Sequence, residues 1–358
     1  MRTGAFLLAL STAIAVGVAR PALRTSQVSS PQTANATLTA VPGVKVGHFT
    51  LTERPTGCTV VLVEGGATAG VDVRGAAPAT AETELLRPVN LVQQVQAIVL
   101  SGGSAFGLES RTGVVRYLDE KNIGFKAYGG RVNVPIVPAA SLIDLIVGDN
   151  PKIRPTADCG YRAAQAASAA PVGEGNVGAG AGATIGKVAG GSRAMKAGIG
   201  SAAIVMPDGL IVAALVAVNA AGDVIDPDTG KVVAGTRTED GKGLADARKL
   251  LTSGAIRQPV RIGENTTLGV VATNAALTKT QATKVAEMAH DGFARAIFPS
   301  HTMGDGDTIF ALATASRTGE VDVSRVGTLA ATVIAQAVVR AALQATGIPG
   351  YPAARDLK

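Results

Sequence analysis

The chain has 358 residues and 47% of them are hydrophobic, enough for one large domain or two smaller ones, which excludes wholesale disorder. Trp is absent and aromatic residues make up 3%, so the chain lacks the exposed rings on which nucleic-acid bases stack. The net charge of +6 is spread along the chain without a basic run, and no nucleic-acid partner is expected.

The N-terminus reads as a signal peptide over residues 1–19. Met1-Arg2 is a short positive region, Ala5 to Val18 is apolar, and Gly17-Val18-Ala19 offers a small-x-small cleavage site. The apolar run is too short for a comfortable membrane span, and no Cys stands at the cleavage site to carry a lipid. Residues 20–39 are rich in Ser, Thr, Pro and Gln and read as a flexible leader. The expectation is an exported protein, periplasmic or secreted, with one domain over 40–358. With 44 Gly and many Ala, its core packs through small side chains and close backbone approach.

Short apolar runs then alternate with Gly-rich turns. Val44 to Thr50, Thr59 to Glu64 and Ala69 to Arg74 read as strands. Ala81 to Gln94 reads as a helix interrupted by Pro88. Ala97 to Ser101 is a strand, followed by Gly102-Gly103 and a helical stretch from Ser104 to Lys121. Thr156 to Ala169 is Ala-rich and helical. Ala183 to Val188, Ser201 to Met206 and Leu210 to Asn219 read as strands, the last two joined by Pro207-Asp208-Gly209. Leu244 to Thr252 is a short helix.

The C-terminal third has the clearest pattern. Ala282, Val285, Ala286, Ala289, Phe293, Ala296 and Ile297 repeat at i, i+3, i+4, i+7 along one helix face, which Pro299 stops. Thr308 to Thr314 is a strand. Ser324 caps a long apolar helix that runs to about Thr346, with Gly347 and Pro349 as stop signals. The order from Thr266 is therefore strand, helix, strand, helix, and helices and strands on this scale suggest sheets covered by helix layers.

Several motifs fail on inspection. The loop Gly178 to Lys187 is not a P-loop, because Ala181 and Val188 stand where Gly and a magnesium-holding Ser or Thr belong. No apolar strand precedes Gly178, so it is not a dinucleotide fingerprint either. His301 and Asp305 suggest a Ser/His/Asp triad, but no Gly-x-Ser-x-Gly elbow supplies the serine, and His301 reads as a solvated loop residue. Cys58 and Cys159 either pair, as suits an exported protein, or serve as small buried hydrophobes. With His48, His290 and His301 they give no metal-ligand spacing, so no metal and no cofactor are expected.

One junction does suggest chemistry. Asn265-Thr266-Thr267 stands directly before the strand-like run Leu268 to Ala272. Either this is a turn entering a strand, or the Asn265–Thr266 bond is cut by an N-to-O acyl shift and Thr266 becomes a new N-terminus. A free α-amine has an unperturbed pKa of about 8 and accepts the hydroxyl proton of its own residue. Asp305 and Asp307 precede the strand at Thr308. If the strands starting at Thr266 and Thr308 lie side by side with their N-terminal ends together, the two carboxylates sit near that amine.

With these residues in place, the sequence resembles the self-cleaving aminopeptidases of the L-aminopeptidase D-amidase/D-esterase, β-peptidyl aminopeptidase and nylon-oligomer hydrolase type. The resemblance runs from Val41 to the C-terminal helix. It is carried by VDVRGAAPATAETELL (71–86), LSGGSAFGLES (100–110), EGNVGAGAGATIGK (174–187), NTTLGVVATNAALT (265–278) and HTMGDGDTIFALAT (301–314). It implies an α/β fold: a four-layer αββα sandwich, like the N-terminal-nucleophile hydrolases but with its own connectivity. It also implies an α-chain ending at Asn265, a β-chain from Thr266, and a homo-oligomer, a tetramer of such αβ pairs. By motif position Thr266 is the nucleophile, Asp305 and Asp307 orient its amine and hydroxyl, and Asn219 falls where the family places an oxyanion-hole amide. Lys187 falls near the family's active site, or simply caps a turn. The Asn-Thr junction is closer to the nylon-oligomer hydrolase than to the Gly-Ser or Asn-Ser junctions of many relatives.

Two positions depart from the pattern. Ile143 replaces a Tyr of related enzymes, and Ala76 replaces a frequent Gly. The expected activity is hydrolysis of short peptides or amino-acid amides through an acyl-enzyme on Thr266. The alternatives are endo-hydrolysis of ω-amino-acid oligomers, an acyl transfer like that of the ornithine acetyltransferases, whose Ala-Thr-Met junction is absent here, and a non-enzymatic binding protein.

Overall fold

A computed structural model describes Met1 and residues 35–254, 256 and 265–357. The expected signal peptide and most of the expected leader lie outside the described residues. The fold begins earlier than Ala40, however. Leu38 is fully buried and its N–H donates to Ser201 Oγ at 2.8 Å, so residues 35–39 are part of the packed structure.

Nine strands form the main sheet: β1 (Lys45–Thr50), β2 (Gly57–Val73), β3 (Thr80–Ala81), β4 (Gln94–Ser101), β5 (Ala139–Ser141), β6 (Ile199–Val205), β7 (Ile211–Asn219), β8 (Thr266–Thr273) and β9 (Thr308–Ala313). Their order is β6-β7-β8-β9-β2-β4-β5-β3, with β1 also on β2. The helices are α1 (Ser110–Glu120), α2 (Ala157–Gln165), α3 (Ala247–Thr252), α4 (Lys279–Ala296) and α5 (Val323–Leu343).

Three hydrophobic cores separate four layers. Val333, Ile334 and Phe293 of α4 and α5 pack on Val212, Val271 and Ile309 of one sheet face. The opposite face of the same strands, through Leu215, Leu268 and Phe310, meets Val61, Ile98 and Leu100 in a core between sheets. Val60, Val99, Val114, Leu118 and Ala163 pack the far side of β2 and β4 against α1 and α2. This is the expected αββα arrangement. Period-2 alternation produces it, since successive side chains of β8 or β9 enter different cores. Every residue of β8 is buried, as its unbroken apolar run requires of a central strand.

The long strand β2 links the two halves. Two strands were expected there, with a break after Glu64. The register with β4 does shift between Leu62 and Ala67, and Gly66 sits at φ +84°, a backbone region that glycine enters without penalty. The glycines bend one continuous strand rather than ending it.

Elsewhere the sequence patterns place the elements within a few residues, with three exceptions. Ala81 to Gln94 is not helical beyond a single turn at Glu84–Leu86, because Pro88 removes a donor within the first turns. Ala183 to Val188 forms only the short strand Thr184–Ile185. The cap of α5 is Asp322, whose carboxylate accepts the Arg325 N–H, and not Ser324. The α4 face falls as expected, with a Thr278–Gln281 capping box at its start. Helix α5 has the length and composition to cross a membrane, yet most of it is buried inside this fold.

A disulfide joins Cys58 of β2 to Cys159 of α2, pinning the α1/α2 layer to its sheet. This settles the question of pairing that the sequence leaves open.

Candidate active site

Strands β8 and β9 run parallel, with Leu268 opposite Thr308. Their N-terminal ends lie together, so Asn265 continues the pairing as a bridge to Asp305. Asn265 N–H donates to the Gly304 carbonyl at 3.2 Å, and Gly306 N–H donates to the Asn265 carbonyl at 3.0 Å. The junction is therefore held as one more rung of the sheet.

Thr266 lies on the face of β8 shared with Leu268, toward the core between the sheets. Its hydroxyl donates to the Asn265 carbonyl oxygen at 2.5 Å. That carbonyl thus receives the hydroxyl and the Gly306 N–H together. The close approach depends on glycine: a Cβ on Gly306 would stand 2.7 Å from Thr266 Oγ1 and 2.7 Å from the Ala77 carbonyl. Just past the end of β2, a Cβ on Gly75 would stand 2.3 Å from the Asp305 carbonyl.

Across the β7–β8 pair, Asn219 is the register partner of Thr266. Its amide is tied into the frame of the site through both its oxygen and one hydrogen of its nitrogen. Asn219 Oδ1 accepts from Thr184 N–H at 3.0 Å and from Lys187 Nζ at 2.9 Å, and Nδ2 donates to the Ile143 carbonyl at 2.9 Å. The Gly-rich loop therefore serves to bring Thr184 and Lys187 to Asn219. Ile143 meets Asn219 through its backbone, which any residue there supplies. The segment carrying it is fixed by a fully buried ion pair between Arg54 and Asp144 (2.9 Å), with Thr56 Oγ1 and Gly103 N–H also donating to Asp144.

Asp307 closes the other side. Its Oδ1 accepts the Thr267 N–H at 2.7 Å, and its Oδ2 accepts the His301 N–H at 3.0 Å and meets His301 Nδ1 at 2.9 Å. Asp305 accepts from Thr302 N–H at 2.8 Å and Thr302 Oγ1 at 2.6 Å. Both carboxylates are buried. Burial, and then the nearby charge of Asp307, push Asp305 above the usual carboxylate range.

All six residues singled out in the sequence, Lys187, Asn219, Asn265, Thr266, Asp305 and Asp307, thus converge on one end of the sheet. Sequence reading missed His301, Thr302 and Gly306. His301 is not a solvated loop residue: it sits at φ +57°, a left-handed backbone that pattern reading does not register, and its ring turns inward onto Asp307. The Thr302-to-Asp305 spacing, a carboxylate reaching back three residues, was the signal available for Thr302.

The profile described as Peptidase family S58 matches residues 36–355. The chain belongs to peptidase family S58. Like the members it resembles, this S58 chain is a hydrolase acting on amide bonds. It is 40% identical over 344 residues to an uncharacterised aminopeptidase of Mycobacterium leprae, covering 88% of this chain and 92% of that protein. It is 30% identical over 276 residues to a 6-aminohexanoate-oligomer endohydrolase of a Kocuria strain, covering 76% of this chain and 73% of that one. Its fold superimposes on the L-aminopeptidase D-Ala-esterase/amidase of Ochrobactrum anthropi, described as a variant of the Ntn hydrolase fold. That match has a TM-score of 0.65 at 20% identity and covers 89% of both chains.

Proposed function

We propose that this S58 hydrolase cuts its own chain between Asn265 and Thr266 and then uses Thr266 as an N-terminal nucleophile on short peptides or amino-acid amides. The observation that carries this reading is the Thr266 hydroxyl, 2.5 Å from the Asn265 carbonyl oxygen of the same junction.

The self-cleavage step balances as follows. Thr266 Oγ1 attacks the Asn265 carbonyl carbon, and its proton passes to the Thr266 nitrogen. Gly306 N–H steadies the oxygen as it gains charge. The C–N bond breaks, leaving Asn265 esterified to the hydroxyl and the α-amine free. Water then cleaves the ester, releasing the Asn265 carboxylate and regenerating the hydroxyl.

In turnover the α-amine takes the hydroxyl proton while Oγ1 attacks the substrate carbonyl, the C–N bond breaks and the leaving amine departs with that proton, and water then cleaves the resulting ester to release the acid product and restore the Thr266 hydroxyl. Asn219 presents its amide toward the developing oxyanion, with Lys187 Nζ on its Oδ1 to hold the group in place. Asp307 fixes the Thr266–Thr267 backbone through the Thr267 N–H. In this reading the protein is exported and assembles as an oligomer of αβ pairs. The Cys58–Cys159 disulfide supports export, since such bonds persist in oxidising compartments.

A second reading, endo-hydrolysis of 6-aminohexanoate oligomers, draws on the Kocuria relative. Purified protein assayed on amino-acid amides and on these oligomers, beside Thr266→Ala, separates the two. Turnover of amides that vanishes in the variant supports the proposal. Turnover of the oligomers alone supports the second reading, and amide turnover that survives in Thr266→Ala removes Thr266 from the mechanism.

A further inference from the structure

Behind the two carboxylates lies a pair of imidazoles in edge-to-face contact that the scheme above does not use. His301 places both its backbone N–H and its ring Nδ1 on one oxygen, Asp307 Oδ2, at 3.0 and 2.9 Å. The two-point grip exists because His301 adopts a left-handed backbone, with φ +57°. Non-glycine residues enter that region rarely, His, Asn and Asp most readily among them. Strained geometry of this kind persists where the surrounding structure enforces it.

The second imidazole holds the first in place. His290 of α4 packs edge-on against the His301 ring, with centroids 4.9 Å apart, and Phe293 lies 6.3 Å away on the same helix. His290 Nε2 meets the Asp72 carbonyl at 3.1 Å, and burial keeps this ring neutral, with a pKa lowered to about 4. Its Nε2 therefore carries the proton and donates to that carbonyl. His301 Nε2 and His290 Nδ1 are both buried without a hydrogen-bond partner. With Asp307 as acceptor, the His301 proton resides on Nδ1.

The charged groups around the ring come from three elements. Asp307 touches it and Asp305 is two residues away in the same loop. Across from them, Asp72 of β2 lies 3.7 Å from His290 Nε2 and is tied to Arg74 at 2.6 Å. Among these groups the His301 ring is the one in contact with Asp307 Oδ2.

We propose that His301 is a positioning residue for the reaction: it fixes Asp307 Oδ2 so that Oδ1 stays on the Thr267 N–H beside Thr266. This rests on the Thr266 mechanism above. Because Oδ1 and Oδ2 are held from opposite sides, releasing one lets the carboxylate turn away from the cleavage junction.

The test uses the full chain with two variants. His301→Gly keeps the left-handed backbone and its N–H but removes the ring. His301→Asn also tolerates that backbone and retains a side-chain donor. Wild type and both variants are compared for fragment masses, for kcat and KM separately, and across pH. His301→Gly is expected to lower kcat by about 10- to 100-fold, the worth of one hydrogen bond to a charged group. Its KM should stay within about twofold, so that the loss falls on kcat alone. His301→Asn should recover kcat to within about fivefold.

Wild-type kcat in His301→Gly would overturn the proposal. So would equal losses in both variants, since that marks the ring as packing alone. If His301→Gly does not fold, His301→Asn decides. Activity within about fivefold of wild type supports the proposal, and a loss above about fiftyfold at every pH overturns it. An uncut, inactive wild type would instead bring down the Thr266 mechanism itself, so the two failures are distinct.

Discussion

Leu268 and Thr308 are register partners in the parallel pair β8–β9, and this rung brings the Asn265–Thr266 junction beside Asp305 and Asp307. The two segments are forty residues apart in sequence. The α4 crossover between them makes the parallel pairing possible and covers the face of the sheet on which Asp307 meets His301.

Gly306 should be intolerant of even one carbon. A Cβ would stand 2.7 Å from Thr266 Oγ1, with backbone on its other side. Overpacking of this kind costs about 1–3 kcal/mol. Gly306→Ala is expected to fold with a lower Tm and to slow appearance of the Thr266–Lys358 fragment by at least about tenfold. Time-resolved intact mass of freshly made protein checks this.

Activity should fall on the acid side at a pH above the ordinary carboxylate value of about 3.9. Burial and the Asp307 charge raise Asp305, so it takes up a proton while pH is still above that value. If turnover needs Asp305 ionised, kcat/KM rises with pH through this raised value. The stability effect has the opposite sign. The raised pKa favours folding at low pH, and that contribution is lost as pH rises through the folded value. A kcat/KM profile from roughly pH 4 to 8 and Tm values for wild type and Asp305→Asn over the same range read both.

Much of this site was legible in the sequence. The apolar runs of β8 and β9 and the period of α4 gave the strand–helix–strand unit, and a parallel neighbour pair follows from such a unit. What was illegible depended on backbone conformation. The inward turn of His301 follows from a single positive φ, and no periodicity encodes it. Gly65-Gly66 looked like a turn because glycine ends most strands, yet β2 pairs with β4 both before and after it, across a register shift that bends the strand. The expected helix at 81–94 had helix-forming residues, but Pro88 prevented it from growing past its first turn.

Lys196 should make stability depend on pH. It is fully buried and its Nζ donates to the carbonyls of Gly180, Ala183 and Ala197, pinning the loop that leads to Thr184 and Lys187. Burial lowers its pKa to about 7. Unfolded lysine keeps its proton to about 10.4, so between these values the unfolded chain binds more protons and stability rises with pH. Tm is expected to climb from pH 7 to pH 9 in wild type, and the climb should shrink in Lys196→Met.

Reduction should destabilise the α1/α2 layer. The Cys58–Cys159 bond spans 101 residues, and closing a loop of that length is worth up to about 4.7 kcal/mol, with about 2–5 kcal/mol typical for removing a native disulfide. Cys58→Ala/Cys159→Ala should lower Tm and abolish its response to reductant, as thermal melts with and without dithiothreitol will read.

The most direct measurement is the intact mass of purified wild type beside Thr266→Ala. Self-cleavage predicts two fragments in the wild type, the smaller running from Thr266 to Lys358, and a single uncut chain in the variant. A wild type that stays whole while hydrolysing amides would contradict it, because no free α-amine would then exist to serve as the base.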